Sequence, residues 1–245
     1  RLSPHTDDRP KCMVEVAGKP LIRRTIDTLR GVGVTEFVVI HGYRGEVLTR
    51  ALKDEPGVRF VENPTYQRNN ILLSLMCAKH EFEGGFFCTY GDIVFRPEVA
   101  AALARSTHDL SLVVDPFWAD AYDGRTEHPV SEAELCGTVQ GLVSHVGKRS
   151  IPPDQARGEF IGLWRASAAG ALAIKERFEK RLAELGLDAP YGRAQRLEVA
   201  YLTDLFADLI ASGQPFHTVD IGTARSWREI DTVQDLDRAA AVVDW

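Results

Sequence analysis

The sequence predicts an α/β protein, a Rossmann-like three-layer sandwich with a mostly parallel mixed sheet covered by helices on both faces. Three observations carry that expectation. Short apolar, β-branched runs such as Phe37-Val38-Val39-Ile40 alternate along the chain with stretches whose apolar residues recur at helical spacing. The runs are apolar throughout rather than alternating, which suits strands buried on both faces with crossover helices between them. Finally, the 245 residues are 44% hydrophobic and 26% charged, a globular composition able to bury its core without a disulfide or metal.

Residues 20–30 are expected to form the first helix. Pro20 suits its first position, Leu21, Ile22, Ile26 and Leu29 share a face, and Gly31 and Gly33 end it. A buried strand follows over 35–41, a helix over 45–53 and a short strand over 58–61. Residues 70–80 read as a helix with Ile71, Leu72, Leu75 and Met76 apolar. Strands are expected over 86–90, ending at Gly91-Asp92, and over 109–115. The stretch 116–150 breaks the pattern, being polar, aromatic and acidic in its first part, and is expected to form an inserted flap with short strands near 137–146. A proline-rich link, Ile151-Pro152-Pro153, leads to a strand over 159–164, helices near 167–185 and 198–212, and a late strand over 217–221. Thr232-Val233-Gln234-Asp235 has the spacing of a helix cap and opens a terminal helix. No repeat or low-complexity run divides the chain, so a single domain over 1–245 is expected.

Charge and cysteine content narrow the function. A formal charge of −6 argues against general nucleic-acid or anionic-membrane binding. Cys12, Cys77, Cys88 and Cys136 are scattered, with no CxxC, so neither a zinc site nor a disulfide framework is expected; a reducing compartment, the cytoplasm, fits better. No apolar run approaches the roughly 20 residues of a membrane span, and no secretory signal is visible.

Three stretches carry candidate chemistry. The first 24 residues hold six basic and three acidic side chains, a cationic segment before a helix that suits a polyphosphate. On charge alone, a solvated loop is the more ordinary reading. Tyr90-Gly91-Asp92 sets a carboxylate at the C-terminal end of a buried strand, where open α/β sheets bind ligands and where Mg²⁺ takes one or two carboxylates plus phosphate oxygens. Gly91 would let a nucleotide approach the backbone. An Asp opening a turn is an equal alternative. Asp231, in Trp227-Arg228-Glu229-Ile230-Asp231, immediately precedes the expected cap. It is either favourable charge at a helix N-terminus or a second metal ligand brought beside Asp92 by the fold.

The pattern Arg1-Leu2…Arg9-Pro10-Lys11…Val16…Gly18-Lys19-Pro20-Leu21-Ile22 resembles the signature of nucleotidyltransferases that activate sugar phosphates and related small phosphates. Asn69-Asn70-Ile71, the segment Gly124-Arg125-Thr126-Glu127-His128-Pro129 with Glu132 and Glu134, and Trp227–Thr232 narrow the resemblance to the branch that transfers CMP from CTP to phosphocholine or small phosphonates. It covers nearly the whole chain. Members begin with a strand and a glycine-rich loop ending in Arg-Leu; only Arg1-Leu2 of that stretch stands here, and the remainder is expected upstream in a longer protein.

The resemblance implies a nucleotidyltransferase fold and a set of roles. Arg1 and Lys11 would contact CTP phosphates, Asp92 and Asp231 would hold Mg²⁺, and Lys148 would lie near the acceptor phosphate. Asn70, Gly91 and Lys19 would lie on the nucleotide side, although Asn70 reads equally well as a plain N-cap. Candidates for the acceptor's organic tail are Asp115, Trp118, Tyr122, Arg125, Glu132 and Glu159. An ammonium tail would favour aromatic faces and carboxylates, whereas a carboxylated phosphonate would want Arg125. Packing of Trp118 and Tyr122, and a solvated face for Glu132 and Glu134, are the plainer alternatives. His41, His128 and His217 lack visible partners and are expected to be structural. The partners implied are CTP and a small phosphonate or phosphate monoester, with a homo-oligomer or a fusion to another domain left open. A hexose-1-phosphate nucleotidyltransferase and a nucleotide-binding domain without turnover are the alternatives.

Overall fold

The structure, a computed structural model, describes residues 2–245; Arg1, expected near the CTP phosphates, lies outside the described residues. In chain order the elements are β1 Glu15–Val16, β2 Lys19–Pro20, α1 Leu21–Arg30, β3 Phe37–His41, α2 Gly45–Ala51, β4 Val58–Glu62, α3 Ile71–Cys77, β5 Phe86–Thr89, β6 Ile93–Phe95 and α4 Pro97–Ala104. There follow β7 Leu110–Asp115, α5 Trp118–Tyr122, β8 Glu134–Val139, β9 Leu142–Lys148, β10 Gly158–Ala166, α6 Ala168–Leu185, α7 Leu202–Ala211, β11 His217–Asp220, β12 Trp227–Glu229 and α8 Val233–Ala240.

A six-stranded sheet in the order β5-β10-β7-β11-β9-β8 forms the centre, and β10 also pairs with β8. Side chains that alternate along its strands separate two cores. Leu110, Leu112 and Val114 of β7 pack with Phe160 and Trp164 of β10 against α3, α6 and α7. Val113, Ile161 and Leu163 point to the other face, where Ile26, Leu29, Leu48, Val99 and Leu103 come from α1, α2 and α4. The helix–sheet–helix layering is therefore as expected. Every residue of β7 is buried, as befits a strand covered on both sides.

Two expectations are corrected. The sheet is not mostly parallel: within it β11 runs parallel to β7, and every other pairing among the described residues is antiparallel. The parallel pair β3–β4, joined through α2, is hydrogen-bonded separately. Alternation of strands and helices cannot reveal that β10 enters between β5 and β7 in the opposite direction. Nor is 116–150 a flap. Its second half supplies β8 and β9, built into the sheet and joined by a tight hairpin at Gln140 and Gly141, both at positive φ (52° and 82°). Its first half is anchored by Trp118 and Tyr122, packed on Ala133 and Leu135. Among the described residues, no helix is long and apolar enough to cross a membrane.

Candidate functional site

A short antiparallel ribbon brings together the two acidic motifs. β6 begins one residue after Asp92, β12 ends two residues before Asp231, and Glu229 pairs with Ile93. The ribbon continues one step further, where the Ile230 N–H donates to the Asp92 carbonyl at 2.8 Å. The two carboxylates thereby emerge side by side. Lys11, on the turn Lys11–Met13, lies between them: its Nζ donates to Asp92 Oδ2 at 2.9 Å and to Asp231 Oδ1.

Asp231 is held from behind. Its second oxygen accepts from His128 Nδ1 at 3.1 Å, and the same ring's Nε2 lies 3.6 Å from Glu229. Its backbone N–H, and that of Thr232, donate to Asp235 Oδ2, while Thr232 Oγ1 accepts from the Asp235 N–H. This is the reciprocal cap expected from Thr232 and Asp235. Arg125, its side chain 6% exposed, donates to Asp235 at 2.6 and 2.9 Å and to Glu229 at 2.8 Å.

Lys11, Asp92, His128, Glu229 and Asp231 line a cavity of about 320 Å³. Also lining it are Asn70, Tyr90, Glu132, Glu134, Lys148 and Glu159, with Tyr201 and Trp227. Lys148, at the end of β9, donates to Glu132 at 2.8 Å and lies 5.1 Å from the Tyr201 ring centre. Glu134 accepts from the Tyr90 and Thr203 hydroxyls at 3.0 and 3.2 Å. Tyr90 can reach it because Gly162, at φ +82°, lets the ring lie on β10, where a Cβ would stand 2.4 Å from it. Glu159 accepts from the Tyr122 hydroxyl at 2.7 Å.

Burial governs the charges. It pushes the Glu134 carboxyl up to about 7 and that of Glu159 up to about 8, against the pull of their hydroxyl donors. Glu229 is raised by burial and then by nearby Asp92. For Lys11, burial acts downward, but Asp92 and Asp231 together outweigh it and hold the ammonium above its ordinary value. Lys148 is likewise raised, burial opposing and Glu132 prevailing.

The structure thus brings Lys11, Asp92, Asp231, Asn70, Lys148 and Glu159 to one cavity. Asn70 is the N-cap of α3, accepting from the Ile71 N–H at 2.8 Å, while also lining that cavity. Gly91 is exposed beside Asp92, with only Cys12 near a notional Cβ, at 3.5 Å. Other residues stand elsewhere. Lys19, on the β1–β2 hairpin, pairs with Asp27 at the surface of α1 and does not reach the cavity. Asp115 caps the turn into α5 and accepts from the Trp227 indole at 2.7 Å. Trp118 and Tyr122 are packing residues of the small cluster under α5. Arg125 joins two acidic side chains behind the cavity. Glu134, expected on a solvated face, is buried; His128, expected to be merely structural, touches Asp231. His128 stands five residues before β8's neighbour Ala133, and no sequence spacing links it to Asp231; its only signal was its place in the Gly124–Pro129 motif.

The oxygen donors of Asp92 and Asp231, close enough to share one ammonium, fit a hard divalent cation such as Mg²⁺. Among the described residues, no group of three or more His, Cys, Asp or Glu side chains is placed to hold a metal. A cation at this pair would complete its coordination with ligand oxygens and water.

Residues 3–172 match the model of the MobA-like NTP transferase domain. A CTP:phosphoglutamine cytidylyltransferase of Campylobacter jejuni is 29% identical over 243 residues, 97% of this chain and 93% of its own. A choline-phosphate cytidylyltransferase of Streptococcus pneumoniae is 34% identical over 108 residues, 44% of this chain and 47% of its own. Among solved structures, the CTP:phosphocholine cytidylyltransferase of Streptococcus pneumoniae superimposes with a TM-score of 0.74 at 22% identity, over 99% of this chain and 93% of that one.

Proposed function

The chain belongs to the MobA-like NTP transferase family, and from that premise we propose that it transfers CMP from CTP to a small phosphate or phosphonate acceptor, releasing pyrophosphate. The observation that carries this reading is the Asp92–Lys11–Asp231 cluster lining the same cavity as Lys148. The similarity to the Campylobacter jejuni enzyme across nearly both full chains supports the choice of CTP.

In this reading an acceptor oxygen attacks the α-phosphorus in line. A new P–O bond forms, the bond to the β-phosphate's bridging oxygen breaks, and pyrophosphate leaves with that electron pair. The acceptor is already an anion at neutral pH, so no general base is needed. The protein's task is to align two mutually repelling anions and offset their charge. Asp92 and Asp231 would hold Mg²⁺, which when bound supplies Lewis-acid polarisation and a template for the phosphates. Lys11 offsets charge on the departing pyrophosphate, Lys148 meets the acceptor phosphate as a point charge, and Asn70 flanks the nucleotide. His128 fixes the rotamer of Asp231. Holding both reactants in one cavity removes their translational freedom before reaction.

The test is pyrophosphate release by the full-length protein with CTP, UTP, GTP or dTTP, each offered phosphocholine, 2-aminoethylphosphonate, phosphoglutamine or a hexose 1-phosphate, with and without Mg²⁺. Release confined to CTP, dependent on Mg²⁺ and on a non-sugar acceptor, is expected. A preference for UTP or dTTP with a hexose 1-phosphate would overturn the reading, as would CTP binding without release in every combination.

A further inference from the structure

We infer that the cavity selects an acceptor whose tail ends in an ammonium bearing N–H bonds, in preference to a quaternary ammonium, and that Glu159 receives it. This rests on the transferase reading above and specifies its substrate.

The charges in the cavity are unequal. Its acidic lining comprises Asp92, Glu132, Glu134, Glu159, Glu229 and Asp231, against Lys11 and Lys148. Lys11 is engaged by Asp92 and Asp231, and Lys148 by Glu132. Of the three remaining carboxylates, Glu134 has two hydroxyl donors and Glu229 has Arg125. Glu159 differs. It is 5% exposed, the Tyr122 hydroxyl serves Oε1, and Oε2 is buried with no hydrogen-bond partner among the described residues. Glu159 lines both the cavity and the small adjoining void beside Arg125 and Glu229. A buried acceptor left unpaired carries its full desolvation cost, which a donor arriving with the ligand removes. Burial has pushed this carboxyl up to about 8, with Glu229 and Asp115 adding to the rise and the Tyr122 hydroxyl and nearby Arg125 only partly opposing it. Phe160, next in β10, is buried among aromatic rings and anchors the backbone beside Glu159.

The aromatic side chains exclude the other kind of cation. A quaternary ammonium has no N–H to offer Oε2 and binds through ring faces. The Tyr122 ring already has the Arg125 guanidinium 5.2 Å from its centre, and the Tyr201 ring has Lys148 at 5.1 Å. Trp227 and Phe160, which also line the cavity, are only 5% and 2% exposed and present no open ring face, and Trp118, buried in the cluster of α5, does not line it. Tyr90 lies packed against Gly162. Among the described residues, the cavity offers a carboxyl oxygen, and the rings that line it are buried or already engaged.

The experiment compares phosphoethanolamine, its N-trimethylated counterpart phosphocholine, and 2-aminoethylphosphonate as acceptors for CTP and the full-length protein, reading kcat/KM by pyrophosphate release. A primary-amine acceptor is expected to exceed phosphocholine by about tenfold or more, the usual discrimination when a buried polar group is left unpaired. Glu159→Gln, nearly isosteric with a protonated Glu, is expected to keep the wild-type Tm at pH 5.5, where Glu159 is protonated, and to lower kcat/KM about tenfold for the amine acceptors while sparing phosphocholine. Equal or better turnover of phosphocholine by the wild type would overturn the inference and leave the transferase reading standing. So would an equal loss for both acceptors in Glu159→Gln, which marks a structural role. Absence of release with every acceptor would instead overturn the transferase reading and the inference with it.

Discussion

Asp231 is fixed by contacts on both carboxylate oxygens and on its own N–H: Lys11, His128 and Asp235. Preorganisation of that kind is what a charge-stabilising site requires, because little reorganisation is then left for the moment of reaction. Asp92→Asn and Asp231→Asn are each expected to lower kcat for CTP at least about a hundredfold, with the far-UV spectrum unchanged. Near-normal turnover in either would remove it from the site. Lys11→Ala should lose about 2–4 kcal/mol of transition-state stabilisation, measured as the ratio of kcat/KM values. His128→Ala should raise the Mg²⁺ concentration needed for half-maximal rate about tenfold or more, since outer partners of metal ligands typically matter by that much, and His128→Asn should recover part of the loss. That Lys11, Asp92 and Asp231 would come together was legible because each sits in a short motif whose residue types suit phosphate or metal. His128 was not, because its partners Asp231 and Glu229 come from a distant stretch, and a lone histidine gives no sign of what folds against it. Lys19 was misplaced for the converse reason. It shares a basic stretch with Lys11, but the hairpin turn at Ala17 and Gly18, both at positive φ, sends it to the surface.

At the scale of elements, the site depends on where α8 starts. Asp235 closes the cap with Thr232 and accepts from Nε and Nη2 of Arg125, so one side chain ties the helix, the segment before β8 and the backbone of Asp231 together. Asp235→Ala is expected to cost about 1–3 kcal/mol of stability by urea unfolding, and to lower kcat as well because Asp231 loses its backbone anchor. A second tie holds α6 to α7. Asp208 accepts from Arg177, Arg181 and the Tyr191 hydroxyl, and these three, opposing burial, hold its carboxyl well below the usual range. The helices themselves were readable from apolar spacing and from caps such as Ser167 and Thr232. Strand direction was not. β6 and β12 are only three residues each, too short for a pattern, yet their antiparallel pairing is what places Asp92 beside Asp231. The misreading of 116–150 has a similar origin: its polar residues, Glu134 among them, resemble a surface segment, and only the tertiary partners Tyr90 and Thr203 make that carboxylate a buried one.

For the whole molecule, two buried acids set a pH dependence opposite to the usual one. Burial pushes Glu134 up to about 7 and Glu159 up to about 8 in the folded protein, well above the ordinary glutamate value. Between the ordinary value and these, the folded state binds more protons than the unfolded state, so stability falls as pH rises. Their contribution is fully present below about pH 4, and is lost as pH climbs through about 7 to 8. Thermal unfolding should therefore show Tm declining from pH 5.5 to about 8.5. The double substitution Glu134→Gln and Glu159→Gln should flatten that decline, and an unchanged slope would mean that these groups titrate elsewhere.

The central claim is that Asp92 and Asp231 act as one unit around a shared divalent cation and the nucleotide phosphates. The direct measurement is a double-mutant cycle on single-turnover pyrophosphate release from CTP, using Asp92→Asn, Asp231→Asn and the pair. If the two carboxylates form one unit, the double variant is no slower than the worse single variant. If the two losses multiply, or if either single variant turns over CTP at the wild-type rate, the carboxylates act independently and the proposed site is wrong.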